Sequence, residues 1–218
     1  MANIALKNKF TALLKECNVE GMDKLNNYLE ESGFFEAPAS TKYHGSYPGG
    51  LLEHSINVYD CAVKKWQNPF WKEVMKKHNI HGKNIAIAAL LHDVCKADAY
   101  EQAFKNQKVY VKDMTSEQLE AAKGGKILED KEGQFAWIQV PYYTYNDNQP
   151  LGHGEKSVIK IMEFIKIEPC ELYAIRWHMG FSEEKSNYVS VGKAMEMYPL
   201  TLLIHEADLE ASRIIEVQ

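Results

Sequence analysis

IAIAALLHDVCK, residues 85–96, runs an unbroken apolar segment straight into a histidine and an aspartate. Read as a helix from Ile85 through Val94, the segment is apolar on every face and belongs at the centre of a core. An imidazole and a carboxylate at the end of such a helix are costly to bury unless they are paired, hydrogen-bonded or bound to a metal. The expected fold is therefore mainly α-helical, a bundle around this segment, with His92 and Asp93 carried into its interior.

Working outward, apolar residues at helical spacing predict helices over residues 4–16, 21–32, 51–66 and 71–77. EAPASTKYHGSYPGG, starting at Glu36, is rich in turn formers and reads as a loop containing His44. Lys108 to Lys112 and Gln134 to Tyr145 switch to alternating, β-branched and aromatic residues, which predicts a small inserted β-hairpin. Helical spacing returns over Glu155 to Lys166. Pro169 and Pro199 suit the starts of further helices over residues 170–178 and 199–214. The expected organisation is a helical lead-in over residues 1–43 and one domain over 44–218, interrupted by the insertion at about 105–150.

The chain has 218 residues, 45% hydrophobic and 25% charged, as expected of a globular protein with a substantial core. No apolar run approaches the roughly 20 residues that span a bilayer, and the first residues are too charged for a secretory signal, so a cytoplasmic location is expected. Cys17, Cys61, Cys95 and Cys170 are far apart, with neither a CxxC pair nor a disulfide framework. A formal charge of −5 argues against a broad basic surface for nucleic acid.

His54, His92, Asp93, His153, His178 and Asp208 all fall within or at the ends of predicted helices that can converge on one core. Neutral imidazole and carboxylate together supply the mixed nitrogen and oxygen donors that suit Mn²⁺, Fe²⁺, Zn²⁺ or related ions. Lys96 follows Asp93 by three residues, on nearly the same helical face, where a point charge can hold a phosphate oxygen. His44 and Arg176 are candidates to contact phosphate or protonate a leaving oxygen. Lys156 and Arg213 read as solvated charges and Cys95 as a packed small hydrophobe. His205, three residues before Asp208, shares its helix face and is either a partner of the site or a partly exposed polar residue.

GGLLEHS (49–55), LLHDVCK (90–96), GHGEKS (152–157), RWHMG (176–180) and HEADLEAS (205–212) together resemble the HD-domain metal-dependent phosphohydrolase superfamily, over about residues 44–213. The resemblance implies that His54, His92, Asp93 and Asp208 hold one ion and that Asp93 can bridge to a second. His153 and His178 match the positions that bind the second ion in dinuclear members; in a mononuclear site they would act on substrate. The subgroup with two adjacent histidines at the fourth motif differs here, because this chain has Trp177-His178.

The expected activity is cleavage of a phosphate ester in a nucleotide or short oligonucleotide by a metal-bound hydroxide, using one or two divalent ions (Mn, Fe, Co, Ni, Zn or Mg). Asp93, Lys96, His153 and His178 are the expected catalytic residues, with Lys96, His44 and Arg176 binding substrate. The partner is then a small phosphorylated molecule, a nucleotide in the first instance, with no membrane partner. Two other classes stay open: a metal-containing nucleotide-binding or sensory protein without turnover, and a di-iron oxygenase built on the same donors.

Overall fold

The computed structural model describes residues 3–123, 125–146 and 149–217. The chain divides into two compact units, one formed by residues up to Tyr100 together with those from Asn146 onward, the other by Glu101–Tyr145.

The larger unit begins with α1 (Ile4–Glu16), α2 (Met22–Glu31), α3 (Gly50–Trp66), α4 (Pro69–Lys77) and α5 (Gly82–Leu91). Local chemistry sets several of these starts. The Asn3 side chain accepts from the backbone N–H groups of Ala5 and Leu6, at 3.1 and 3.3 Å, and Asn68 accepts from Phe70 N–H at 2.9 Å ahead of Pro69. α5 is buried from Asn84 through Leu91, and α3 and the later helix Pro169–Arg176 pack along it. The helix stops at Leu91 instead of continuing to Val94, and Val94–Lys96 forms a 3₁₀ turn.

In the smaller unit, β1 (Tyr100–Tyr110) leads through a 3₁₀ turn at Val111–Asp113 to α6 (Ser116–Lys123), β2 (Leu128–Asp130) and β3 (Gly133–Tyr145). The sheet order is β1-β3-β2, with β2 and β3 antiparallel and Leu128 opposite Phe135. β3 thus follows the expected segment closely, whereas β1 starts well before Lys108 and ends at Tyr110, short of Lys112, where the chain enters the 3₁₀ turn; a third strand and a helix accompany them. Phe135 and Ala136 are buried, whereas Trp137 is 59% exposed.

After the insertion the larger unit resumes with α7 (His153–Met162), α8 (Pro169–Arg176), α9 (Tyr188–Met197) and α10 (Pro199–Glu210), and a π-helical turn over Ala211–Ile215. Its core combines these helices with the N-terminal ones. Phe10, Phe34 and Phe35 form a closed aromatic trio with ring centroids 5.2 to 5.6 Å apart, two of the three contacts edge-on. Asn84 is the buried polar exception on α5, and both ends of its amide are satisfied. Its Oδ1 accepts from His81 N–H at 2.8 Å and its Nδ2 donates to Glu171 at 2.9 Å. The four cysteines are free and buried. Among the described residues, no helix is long and apolar enough to cross a membrane.

Candidate metal centre

Five helices of the larger unit deliver the polar side chains to one place. α3 carries His54, α10 carries Asp208, α7 opens with His153, and His178 follows the end of α8 by two residues. His92 and Asp93 sit where α5 gives way to the 3₁₀ turn, with Asp93 at φ −110°, ψ 19°. Successive residues of a continuing helix point about 100° apart. The break lets neighbouring side chains aim at one point, and His92 Nε2 lies 3.4 Å from Asp93 Oδ2. Ser157 Oγ accepts from Cys95 N–H at 3.2 Å and so ties α7 to the turn after Asp93.

α7 meets the end of α8 closely. A Cβ on Gly154 would lie 2.2 Å from the Arg176 carbonyl oxygen, so only glycine allows this approach. It sets the His153 and His178 rings 5.6 Å apart. At Gly180, φ +55°, a Cβ would fall 2.3 Å from the His205 ring, which occupies the space that glycine leaves.

The ring protons can be assigned from their partners, because a carbonyl or carboxylate oxygen only accepts. His92 Nδ1 donates to Ala89 O at 2.8 Å, His178 Nδ1 donates to Ile175 O at 2.7 Å, and His54 Nδ1 donates to Glu216 at 3.1 Å. Each ring therefore turns its Nε2 inward. His54 Nε2 and His92 Nε2 are 3.3 Å apart, and His54 Nε2 is 3.3 Å from Asp208 Oδ1. Asp93 lies between two groups of donors. Its Oδ1 is 2.5 Å from His153 Nε2 and 3.5 Å from His178 Nε2, and its Oδ2 faces His92 Nε2 and, at 3.9 Å, His54 Nε2. Donor atoms of His54, His92 and Asp93, and of His92, His178 and Asp208, lie within 4.8 Å of one another. Inward Nε2 lone pairs, anchored Nδ1 protons and two carboxylates form a set that fits a divalent cation.

The surrounding charges favour a cation at this place, a proton or a metal ion. Burial opposes charge on Asp93, but Lys96, His92 and His153 outweigh it and hold the carboxyl well below its usual range. Burial likewise opposes charge on Asp208, but His54 foremost, with His92 and His178, outweighs it and holds the carboxyl well below its usual range. Burial opposes charge on His54, but Asp208 and Glu216 outweigh it and push its pKa up to about 9, so a proton competes with a metal ion for its Nε2. Lys96 Nζ pairs with Asp93 Oδ2 at 2.7 Å and donates to Ala39 O, also at 2.7 Å. Burial pushes the Cys95 thiol up to about 12, and its Sγ sits 3.5 Å from His153 Nδ1.

The cluster opens into a cavity of about 430 Å³, whose walls include His44, Lys96, Met179, His205, Leu209 and Arg213. His44 stands over His54, with ring centroids 4.8 Å apart, and burial lowers its pKa. A second hollow of about 420 Å³ shares His44, Ser212 and Arg213 and adds Lys42, Tyr43 and Ser46. His205 Nδ1 donates to the His178 carbonyl at 2.7 Å, which leaves its Nε2 free of that bond.

Among the candidates from sequence, the structure gathers His54, His92, Asp93, Lys96, His153, His178 and Asp208 at this centre, with His44 on its rim. Arg176 is not gathered there. Its guanidinium pairs with Glu155 at 2.8 Å and Glu183 at 3.0 Å and stacks over Trp177 at 3.7 Å. Lys156 is buried, at 6% exposure, rather than a solvated charge, because its helix turns that face to the core. Glu216 was not legible, since an isolated glutamate near the end of the chain carries no motif. Asn57 was findable, standing three residues after His54 on the same face of α3.

No family model matches the chain, and no solved structure matches it. Over 68 residues, 30% of this chain, it is 40% identical to a dihydroneopterin 2′,3′-cyclic phosphate phosphodiesterase of Methanocaldococcus jannaschii. That stretch spans about a quarter of the relative's length, 25%.

Proposed function

We propose that this chain is a metal-dependent phosphohydrolase of the HD-domain type, acting on a small phosphate ester such as a nucleotide. The observation that carries the proposal is the inward convergence of the His54, His92 and His178 Nε2 atoms on Asp93 and Asp208, with all three Nδ1 protons anchored outside. His54, His92, Asp93 and Asp208 would hold one ion, and His153 and His178, sharing Asp93, a second. Bound ions supply acidified water and offset charge on the non-bridging phosphate oxygens. The local similarity to a phosphodiesterase supports the same reaction class.

This chain's own groups orient the ester. Lys96 places its ammonium beside Asp93, where it can take a phosphate oxygen as a hydrogen-bonded point charge. Arg213 lies on the seam between the two hollows, in reach of a phosphate or of a second anionic group. Met179 and Leu209 offer an apolar wall to the organic part of the substrate. The exposed ring of Tyr43 adds a stacking surface in the neighbouring hollow. A cyclic phosphodiester on a sugar or polyol attached to a flat heterocycle fits this combination of groups.

The test is metal analysis of the purified chain followed by turnover assays with Mn²⁺, Fe²⁺, Co²⁺ and Mg²⁺. Nucleoside 2′,3′-cyclic phosphates, nucleoside monophosphates and triphosphates form the panel, with Asp93→Ala as control. Turnover lost in the variant supports the reading. Bound metal with no turnover would shift the assignment to a binding protein or, with iron and oxygen uptake, to an oxygenase.

A further inference from the structure

We propose that Glu216 is a positioning residue that fixes His54 as a metal ligand; the proposal rests on the reading of the cluster as a metal centre. Both Glu216 carboxylate oxygens stand 3.1 Å from His54 Nδ1, with the two side chains 6% and 1% exposed. Because a carboxylate only accepts, the His54 proton stays on Nδ1 and Nε2 stays turned to the ion. The partners of the other two rings are backbone carbonyls, at Ala89 and Ile175. His54 differs in having a charged partner, which makes its Nε2 the stronger donor.

Two features of this chain hold the carboxylate in place. Asn57, one helical turn beyond His54, donates from Nδ2 to Glu216 Oε1 at 2.9 Å. The partner is a neutral amide, so the negative charge remains available to the imidazole. The chain also leaves α-helical register after Glu210. Glu216 N–H donates to Ala211 O at 2.9 Å across the π turn of Ala211–Ile215. Each such widened turn shifts the face presented by the residues after it, and π turns recur at functional sites. Here it turns Glu216 towards α3, while α10 itself presents Asp208.

A rival arrangement is an ion held by His44, His54 and Glu216, whose donor atoms also lie within 4.8 Å of one another. It would require His54 to give up its Nδ1 proton and bridge two ions. The Asn57 bond to the carboxylate favours positioning instead.

The experiment is a cobalt titration of the metal-free full chain, followed by visible absorption, for the wild type, Glu216→Ala and Glu216→Gln. Glu216→Ala should raise the Co²⁺ dissociation constant about 10- to 100-fold at unchanged stoichiometry. Glu216→Gln, which keeps an acceptor for Nδ1–H, should fall between that variant and the wild type. If Glu216→Ala does not fold, Glu216→Gln against wild type carries the test. An unchanged dissociation constant, or a lower melting temperature alone, would overturn the proposal. Loss of one ion per chain at saturation would do so as well, by making Glu216 a ligand. A wild-type chain that binds no cobalt would instead overturn the metal-centre reading beneath it.

Discussion

His92 Nε2 faces His54 Nε2 at 3.3 Å, while the opposite nitrogen of each ring is committed to an acceptor, Ala89 O for one and Glu216 for the other. Two such nitrogens in a buried core call for a cation between or beside them, either a proton or a metal ion.

A bound divalent ion should therefore stabilise the fold through this pair. At a free concentration one hundred times the dissociation constant, the gain is about 2.7 kcal/mol. For a chain of this size that corresponds to a rise of several degrees in melting temperature, about 2–4 °C per kcal/mol. Thermal unfolding of the metal-free chain with and without Mn²⁺ or Co²⁺ measures it. His92→Ala should abolish the rise, and a rise that survived the substitution would place the ion elsewhere.

Lys96 and Arg176 are both cations near the motifs, but they make different partnerships. Lys96 pairs with Asp93 on the cavity wall, whereas Arg176 is spent on Glu155 and Glu183. Lys96→Met should lower kcat/KM on a phosphate ester about 100-fold, the scale of losing one charge-stabilising donor, with metal content retained. Arg176→Lys should leave kcat/KM within about 2-fold and lower the melting temperature, because a lysine replaces neither the paired hydrogen bonds nor the stack on Trp177. Steady-state kinetics beside thermal unfolding of both variants separate the two roles, and the reverse pattern would reassign Arg176 to substrate.

The helical core is legible in the sequence because its signal is local. The apolar run before His92 has no solvent face, and the six metal-ligand candidates stand at ends or on faces of segments with helical period. The hidden parts depend on tertiary contact. YVSVGKAMEM, residues 188–197, carries β-branched residues and Gly192, which disfavour a helix, yet Val191 and Ala194 are buried and α9 forms. β2 is three residues long and shows no alternation. Glu216 reaches His54 only through a π turn, and Arg176 is drawn away by two acidic residues whose spacing from it says nothing alone. Apolar period does not register a break into a 3₁₀ turn, so it carries α5 on to Val94, past the helix's end at Leu91.

Gly154 sets how closely α7 approaches the end of α8, and with it the spacing of the His153 and His178 rings beside Asp93. Its missing Cβ leaves room for the carbonyls of Arg176 and Ile175, which a methyl group would approach to 2.2 and 2.7 Å. Gly154→Ala should push the start of α7 away from α8 and cost about 1–3 kcal/mol by overpacking. On the proposed two-ion reading, it should also weaken metal binding at His153 more than at His54 and Asp208. Metal titration with stoichiometry, beside thermal unfolding, reads both effects. A stable variant with wild-type metal content would show that the approach of the two helices is dispensable.

Glu171 gives a pH dependence that is independent of the metal. Burial raises its carboxyl pKa, and neither the Glu168 backbone N–H at 2.7 Å nor the Asn84 amide at 2.9 Å fully offsets the effect. Folded Glu171 therefore holds its proton to a higher pH than in the unfolded chain, where its pKa lies near the ordinary value. The folded state binds more protons in that window, so this group's contribution is full below the unfolded pKa and is lost as pH rises through the folded one. Glu171→Gln should remove that component. Unfolding free energies of wild type minus variant, taken from about pH 4 to 7 in the metal-free chain, should fall with rising pH. A difference that is flat or rises over this range would mean that the amide and backbone donors stabilise the carboxylate at least as fully as water does.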